Sequence, residues 1–195
     1  MVTILGYNNS ETQYINEILE KKNVPFNYSL LEKQITIAEK IILPHPHNFS
    51  SAYKRMQMMN LFSYLRMLKK PILGINDGFS LMCSEILDKY KCGLGFFEVK
   101  VNSNAMNETD LPEFETGKVL VKSGSELVSL SLNNTEIKFN KNRQMGECEF
   151  SKSIIKFENK VYTLTCEHKN YYSVELNFEQ NPLIAENIIS NFVSL

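Results

Sequence analysis

Lys70-Pro71-Ile72-Leu73-Gly74-Ile75-Asn76-Asp77-Gly78-Phe79-Ser80-Leu81-Met82 carries the clearest structural signal in the chain. Ile72 to Ile75 is a short apolar run of the kind that forms a buried strand. Gly74-Ile75-Asn76-Asp77-Gly78 turns the chain sharply, and from Phe79 to Leu87 apolar residues recur at helical spacing. Strand, tight elbow and helix in that order lift one residue, Asn76, clear of the sheet above the start of a helix. Gly74 and Gly78 flank it because a Cβ at either position would collide with neighbouring backbone.

Towards the N-terminus the pattern alternates between strand and helix. Val2 to Leu5 reads as a strand, with Ser10 placed to cap a helix from Glu11 to Lys22 whose Ile15, Ile18 and Leu19 form one apolar face. Phe26 to Leu30 is a second strand. Ile35, Ile37 and Ala38 suggest a short helix, and Lys40 to Leu43 a third strand ended by Pro44-His45-Pro46-His47. A long helix from Phe49 to Lys69 leads into the elbow strand. This alternation implies a parallel sheet with helices on both faces.

Towards the C-terminus the character changes after Cys92. Val99, Val101, Val119, Val121, Leu127, Leu130 and Leu132 alternate with polar residues, as in antiparallel strands and hairpins. Lys160 to Thr165 and Tyr171 to Leu176 read as two more strands. Pro182 to Phe192 reads as a closing helix burying Leu183, Ile184, Ile188, Ile189 and Phe192. Asn102 to Glu115 is the best candidate for a mobile loop. The expected architecture is a single three-layer α/β domain over residues 1–195, its central sheet mostly parallel, with additional antiparallel strands in the C-terminal half.

The composition is that of a soluble globular protein: 195 residues, 43% apolar, 22% charged. A net charge of -1 offers no attraction to nucleic acid or an anionic membrane, and no apolar run reaches membrane-spanning length. Met1 to Gly6 lacks the basic region of a signal peptide, so a cytoplasmic location is expected. Cys83, Cys92, Cys148 and Cys166 have no C-x-x-C spacing and read as reduced packing residues. No metal or cofactor is expected.

The elbow resembles that of the class I glutamine amidotransferases, Gly-Ile-Cys-x-Gly-x-Gln, and more narrowly the chain is similar to the glutaminase subunit of imidazole glycerol phosphate synthase (HisH-like). Ile4-Leu5-Gly6-Tyr7 stands where that family has its first strand, and Ile41-Ile42-Leu43-Pro44 where it has the strand before its oxyanion loop. Gly93-Leu94-Gly95-Phe96 matches a Gly-Leu-Gly segment. Gln144-Met145-Gly146 stands near His-Met-Gly-Trp-Asn, and Val174 to Glu179 aligns with Val-Gln-Phe-His-Pro-Glu.

The departures fall on the chemistry. By resemblance Asn76 stands at the cysteine nucleophile, Asn177 at the general base and Glu179 at its acidic partner; a carboxamide is not nucleophilic. The family's flexible Gly-Val-Gly oxyanion loop becomes His45-Pro46-His47, in which Pro46 has no N–H to offer an oxyanion. Ser80 replaces the elbow Gln. Because Asn tolerates positive φ, Asn76 is expected to keep the turn while relaxing its strain. The resemblance implies a pseudoenzyme: a degenerate glutaminase subunit, accessory or regulatory to a (βα)₈ barrel synthase in amino-acid or amino-sugar biosynthesis, histidine biosynthesis included.

Two alternatives stay open. One is an enzyme with new chemistry in the old pocket, using His45, His47, Asp77 or Glu179. The other is a non-catalytic homo-oligomer or ligand-binding module. His45 and His47 are weighed as metal ligands against a rigid loop, with His168 remote in sequence. Cys166 and His168, two apart on a strand, are weighed as a Cys–His pair against packing. Cys83 and the methionines Met56, Met58, Met59 and Met67 read mainly as core, and Tyr171-Tyr172 as a strand pair or a rim contact.

Overall fold

The computed structural model describes residues 1–7, 12–89, 91–102, 114–122, 124–141 and 144–195. The proposed Ser10 cap and residues 103–113 of the candidate mobile loop lie outside these. In chain order the elements are β1 (Val2–Leu5), α1 (Gln13–Lys21), β2 (Phe26–Ser29), α2 (Glu32–Ile37), β3 (Lys40–Leu43), α3 (Phe49–Met58), α4 (Leu61–Met67) and β4 (Ile72–Ile75). There follow α5 (Asp77–Met82), β5 (Cys83–Ile86), β6 (Lys91–Cys92), β7 (Phe97–Val101), β8 (Phe114–Val121), β9 (Glu136–Asn140), β10 (Ser151–Phe157), β11 (Lys160–His168), β12 (Tyr171–Val174) and α6 (Pro182–Ser194).

A nine-stranded sheet in the order β2-β1-β3-β4-β12-β11-β10-β8-β9 runs through the molecule. Strands β2, β1, β3, β4 and β12 are mutually parallel; β11, β10, β8 and β9 continue the sheet antiparallel. The inner parallel strands β1, β3, β4 and β12 are buried on both faces, as crossover helices require, while the edge strand β2 is only partly buried. In β3, Ile42 faces one core and Ile41 and Leu43 the other; in β4, Leu73 and Ile75 oppose Ile72. One core gathers α1, α6 and the inward residues of β8–β11; the other gathers α3, α4, α5 and a small second sheet, β6-β5-β7. The expected three layers are therefore present, mostly parallel at the centre and antiparallel towards the C-terminal half.

Several element boundaries differ from those expected. The helix from Phe49 to Lys69 is two helices, because Asn60 adopts the left-handed conformation (φ 54°, ψ 24°) between them. Asn is among the few residues that enter this region at modest cost, and one such residue ends a helix. Within this pair Met56 is fully buried, while Met58, Met59 and Met67 are exposed. The elbow helix stops at Met82, and Cys83 to Ile86 leave as strand β5, captured by β7 and β6. Gly93 permits this approach: a Cβ there would lie 2.2 Å from the Cys83 carbonyl oxygen. Cys83 is core as expected, though on a strand. Leu130 to Leu132 form a 3-10 turn instead of a strand, and β9 and β10 add two strands the alternation did not reveal. Leu183 is 78% exposed, whereas Ile184, Ile188, Ile189 and Phe192 are buried. As a first-turn residue beside Pro182, Leu183 points away from the sheet.

Candidate functional site

The elbow forms at the C-terminal end of β4, where the parallel strands open towards the loops. Its glycines act as the sequence implies. A Cβ on Gly78 would lie 2.0 Å from the Leu43 carbonyl oxygen, and one on Gly74 would lie 2.8 Å from the Gly78 backbone. The first turn of α5 is thus pressed onto the end of β3, and only hydrogen fits between them.

Asn76 has φ 52° and ψ -117°. This is not the left-handed region that Asn tolerates. It is the first central position of a type II′ turn, a conformation that favours glycine. The expected relaxation therefore does not occur: the Asn carries the elbow's strain, of order 1–3 kcal/mol. What holds it there is visible. Its backbone N–H donates to the Val174 carbonyl (2.8 Å), continuing the β4–β12 pairing. Beyond that point the side chain takes over as a surrogate peptide. Asn76 Oδ1 accepts from Leu176 N (2.9 Å) and Asn76 Nδ2 donates to Leu176 O (3.2 Å). Both ends of the carboxamide are thereby committed to backbone. A cysteine thiol at this position could not make this two-sided bond.

Asn177 is turned to a different task. Its Oδ1 accepts from the backbone N–H of Gln180 (2.9 Å), and its carbonyl accepts from Asn181 Nδ2 (2.9 Å), closing the turn into α6. Glu179 is exposed, and its charge raises the pKa of Tyr14 on α1, where burial is the larger cause. The positions matched by resemblance to base and acid are thus occupied by a turn-closing amide and a surface carboxylate.

The His-Pro-His loop splits in two directions. Pro46 is buried and His47 exposed. The His45 side chain is 12% exposed and its Nδ1 lies 3.6 Å from Asp77 Oδ2. Asp77 is itself buried, and Ser80 Oγ donates to its other oxygen at 3.5 Å. Tyr7, fully buried below the loop, donates its hydroxyl to the Pro44 carbonyl (2.5 Å). Burial, and then the Asp77 carboxylate, push that phenol well above its ordinary pKa, so it stays a neutral donor. Ser80, His45 and Asp77 do not make a nucleophile–base–carboxylate relay: serine and histidine share one carboxylate, whereas catalysis needs the serine on the far imidazole nitrogen. His45 and His47 face apart, and no cluster of three metal-ligating side chains occurs among the described residues.

Beside the elbow, Gln144 and Met145 strap the chain onto β11 and β12. Gln144 Nε2 donates to the carbonyls of Thr163 (2.7 Å) and Glu175 (2.8 Å), and Met145 N donates to Glu175 Oε2 (2.9 Å). Glu175 directly precedes the Leu176 that Asn76 holds. The Cys166–His168 pairing is not made: His168 packs edge-on against Phe150 (5.0 Å), while the Cys166 sulfur faces Cys148. The intervening Glu167 is buried and structural, accepting from Ser125 Oγ (2.7 Å) and the backbone of Glu126 (2.8 Å) and Leu127 (3.2 Å). Tyr171 and Tyr172 both lie in β12, Tyr171 stacked on Phe96 at 3.8 Å and Tyr172 bonded to Glu126. The Asn76–Leu176 clasp and the Cys148–Cys166 contact are not indicated by residue spacing: the first is a side-chain-to-backbone bond, and both depend on long-range strand pairing.

No family model matches the chain. In sequence it is 25% identical over 205 residues to the imidazole glycerol phosphate synthase subunit HisH of Leptospira borgpetersenii, with 100% of both chains covered. It is 23% identical over 174 residues to HisH 2 of Campylobacter jejuni, covering 83% of this chain and 81% of that one. In structure it is similar to a crystal structure of a glutamine amidotransferase (TM-score 0.69, 13% identity, 99% and 97% of the two chains). It is also similar to PurLQS from Thermotoga maritima (TM-score 0.65, 12% identity, 99% and 96%).

Proposed function

We propose that this chain, a class I glutamine amidotransferase in fold and HisH-like in sequence over its whole length, is a synthase subunit that has lost glutamine hydrolysis and serves as a non-catalytic partner. The partner is a (βα)₈ barrel synthase of amino-acid or amino-sugar biosynthesis in the cytoplasm, working from free ammonia or with its own activity set by this subunit. The observation that carries the reading is the Asn76–Leu176 clasp. A side chain bonded through both its ends to backbone is a structural element, and neither of its atoms can attack an amide. The change at Asn177 supports the same reading, because a carboxamide bonded to Gln180 takes up no proton at neutral pH. Pro46 supports it again by removing an oxyanion donor.

The test is ammonia release from L-glutamine, measured on the purified chain and on its complex with the barrel synthase recovered from the native cell. No release above the reagent blank is expected in either. Asn76→Cys is expected to fold and to remain silent, since a thiol alone restores neither base nor oxyanion loop. Turnover of glutamine by the wild-type chain or by this single variant would overturn the assignment. Recovery of a barrel synthase at near-equal stoichiometry is the expected outcome for the partner.

A further inference from the structure

We propose that Cys148 and Cys166 form a peroxide-sensitive thiol pair that closes to an intramolecular disulfide and locks the strap beside the elbow. The two residues are separated by 18 positions, yet their sulfurs lie 3.6 Å apart. A disulfide requires about 2.05 Å, so closure asks for a contraction of about 1.5 Å between side chains already in contact. The two are differently placed. Cys166 is fully buried on β11, whereas Cys148 is half-buried at the end of the strap, where a small oxidant can reach it.

The surroundings divide the roles. Ser151 Oγ donates to the Cys148 sulfur (3.5 Å) and is fixed by the Cys148 backbone N–H (2.9 Å) and by Thr163 Oγ1 (2.7 Å). The hydrogen bond from Cys166, with those from Ser151 and from the Phe150 and Ser151 backbone, draws the Cys148 thiol down to about 6 against the opposing effect of burial. The Cys166 thiol is raised, first by donating to Cys148, then by burial and by the Cys148 and Glu175 charges; a hydrogen bond with Ser173 opposes this. Cys148 is therefore the thiolate and Cys166 the protonated partner. The Cys148 thiolate attacks one oxygen of hydrogen peroxide, the O–O bond breaks, and a sulfenic acid and hydroxide result. The Cys166 sulfur then attacks the Cys148 sulfur. The S–S bond forms, the S–O bond breaks, and the departing hydroxide takes the Cys166 proton as water. The hydroxide from the first step takes up the proton that Cys148 released on ionising, so in sum two thiols are oxidised and one peroxide is reduced to two waters.

The consequence lies in the strap. Reduced, residues Gln144 to Cys148 are held by hydrogen bonds to Thr163, Glu175 and Ser151. Oxidised, they would be bonded covalently to β11, next to the Glu175–Leu176 backbone that Asn76 grips. None of this depends on the reaction or partner assigned above.

The experiment uses the full reduced chain, dilute hydrogen peroxide, alkylation of remaining thiols, and peptide mapping without reduction. The expected result is loss of two of the four free thiols, a linked Cys148–Cys166 peptide, and full reversal by dithiothreitol, with exposed Cys92 still alkylated. Cys166→Ser should instead accumulate a Cys148 sulfenic acid that dimedone captures. Oxidation of Cys92 ahead of Cys148, or conversion of Cys148 to sulfinic acid with no linked peptide in the wild-type chain, would overturn the proposal. Because the mapping is done on the wild-type chain, it does not depend on that variant folding.

Discussion

Asn76 and Asn60 show how differently two positive-φ asparagines can be held. Asn60, at ψ 24°, sits in a well that asparagine visits readily; Asn76, at ψ -117°, does not. Asn76 stays because two side-chain hydrogen bonds to Leu176 oppose the backbone cost. Separating these contributions needs two variants. Asn76→Ala keeps the strained backbone and removes both bonds, and is expected to destabilise the chain by about 2–3 kcal/mol. Asn76→Gly removes the same bonds and also the strain, and is expected to be about 1–2 kcal/mol more stable than the alanine variant. Denaturant unfolding of the two reads the difference, and equal stabilities would mean that the elbow carries no strain. The presence of an Asn was legible in the sequence, and so was the loss of a nucleophile. The second backbone angle was not, because ψ is set by where β12 holds Leu176, a hundred residues away.

Among the elements, the strand–elbow–helix unit is held by contacts too short for any side chain. A Cβ on Gly78 would sit 2.0 Å from the Leu43 carbonyl oxygen, and Leu43, paired with Gly74, cannot retreat without parting β3 from β4. Gly78→Ala is expected to cost about 3 kcal/mol. Gly146→Ala is the control, since nothing lies within 4 Å of a Cβ there, and a change of about 0.5 kcal/mol or less is expected. Thermal unfolding of the pair checks both, and a tolerated Gly78→Ala would show that the helix start can move. These glycines were readable because an elbow of this kind leaves no alternative. Three of the parallel strands, β1, β3 and β4, were readable for a different reason: each is a short, largely apolar run whose residues are almost all buried. Where the sequence misled, a local signal was ambiguous. Cys83 to Ile86 fit a helix as well as a strand, and only pairing with Phe97 to Val101 decides between them. Strand β10 alternates weakly, with polar residues facing inward at Ser151 and Ser153, so no periodicity announced it; β9 alternates but is only five residues long.

At the scale of the whole molecule, the two cores are separated by one continuous sheet, and the central strands feed both. Ile72 belongs to one core and Leu73 to the other, at adjacent positions of β4. The core on the α1–α6 side is contiguous from β1, next to the parallel edge strand β2, to Ile137 and Phe139 of β9 at the antiparallel edge. Neither the parallel nor the antiparallel half can unfold without exposing apolar surface in the other. One cooperative transition is therefore expected in spite of the mixed architecture. The check is coincidence of probes: far-ultraviolet circular dichroism, which follows the backbone of both halves, against near-ultraviolet circular dichroism. The tyrosines reporting there include Tyr7 and Tyr53 beside the elbow-side core and Tyr162 and Tyr172 beside the other. Overlapping transitions with a single midpoint are the expected result. Two resolved midpoints would mean that β8–β11 form a unit stable by itself. The elbow and the Cys148–Cys166 strap, which bridge the two halves at Leu176 and Glu175, would then have to be re-read as an interface between separately folding parts.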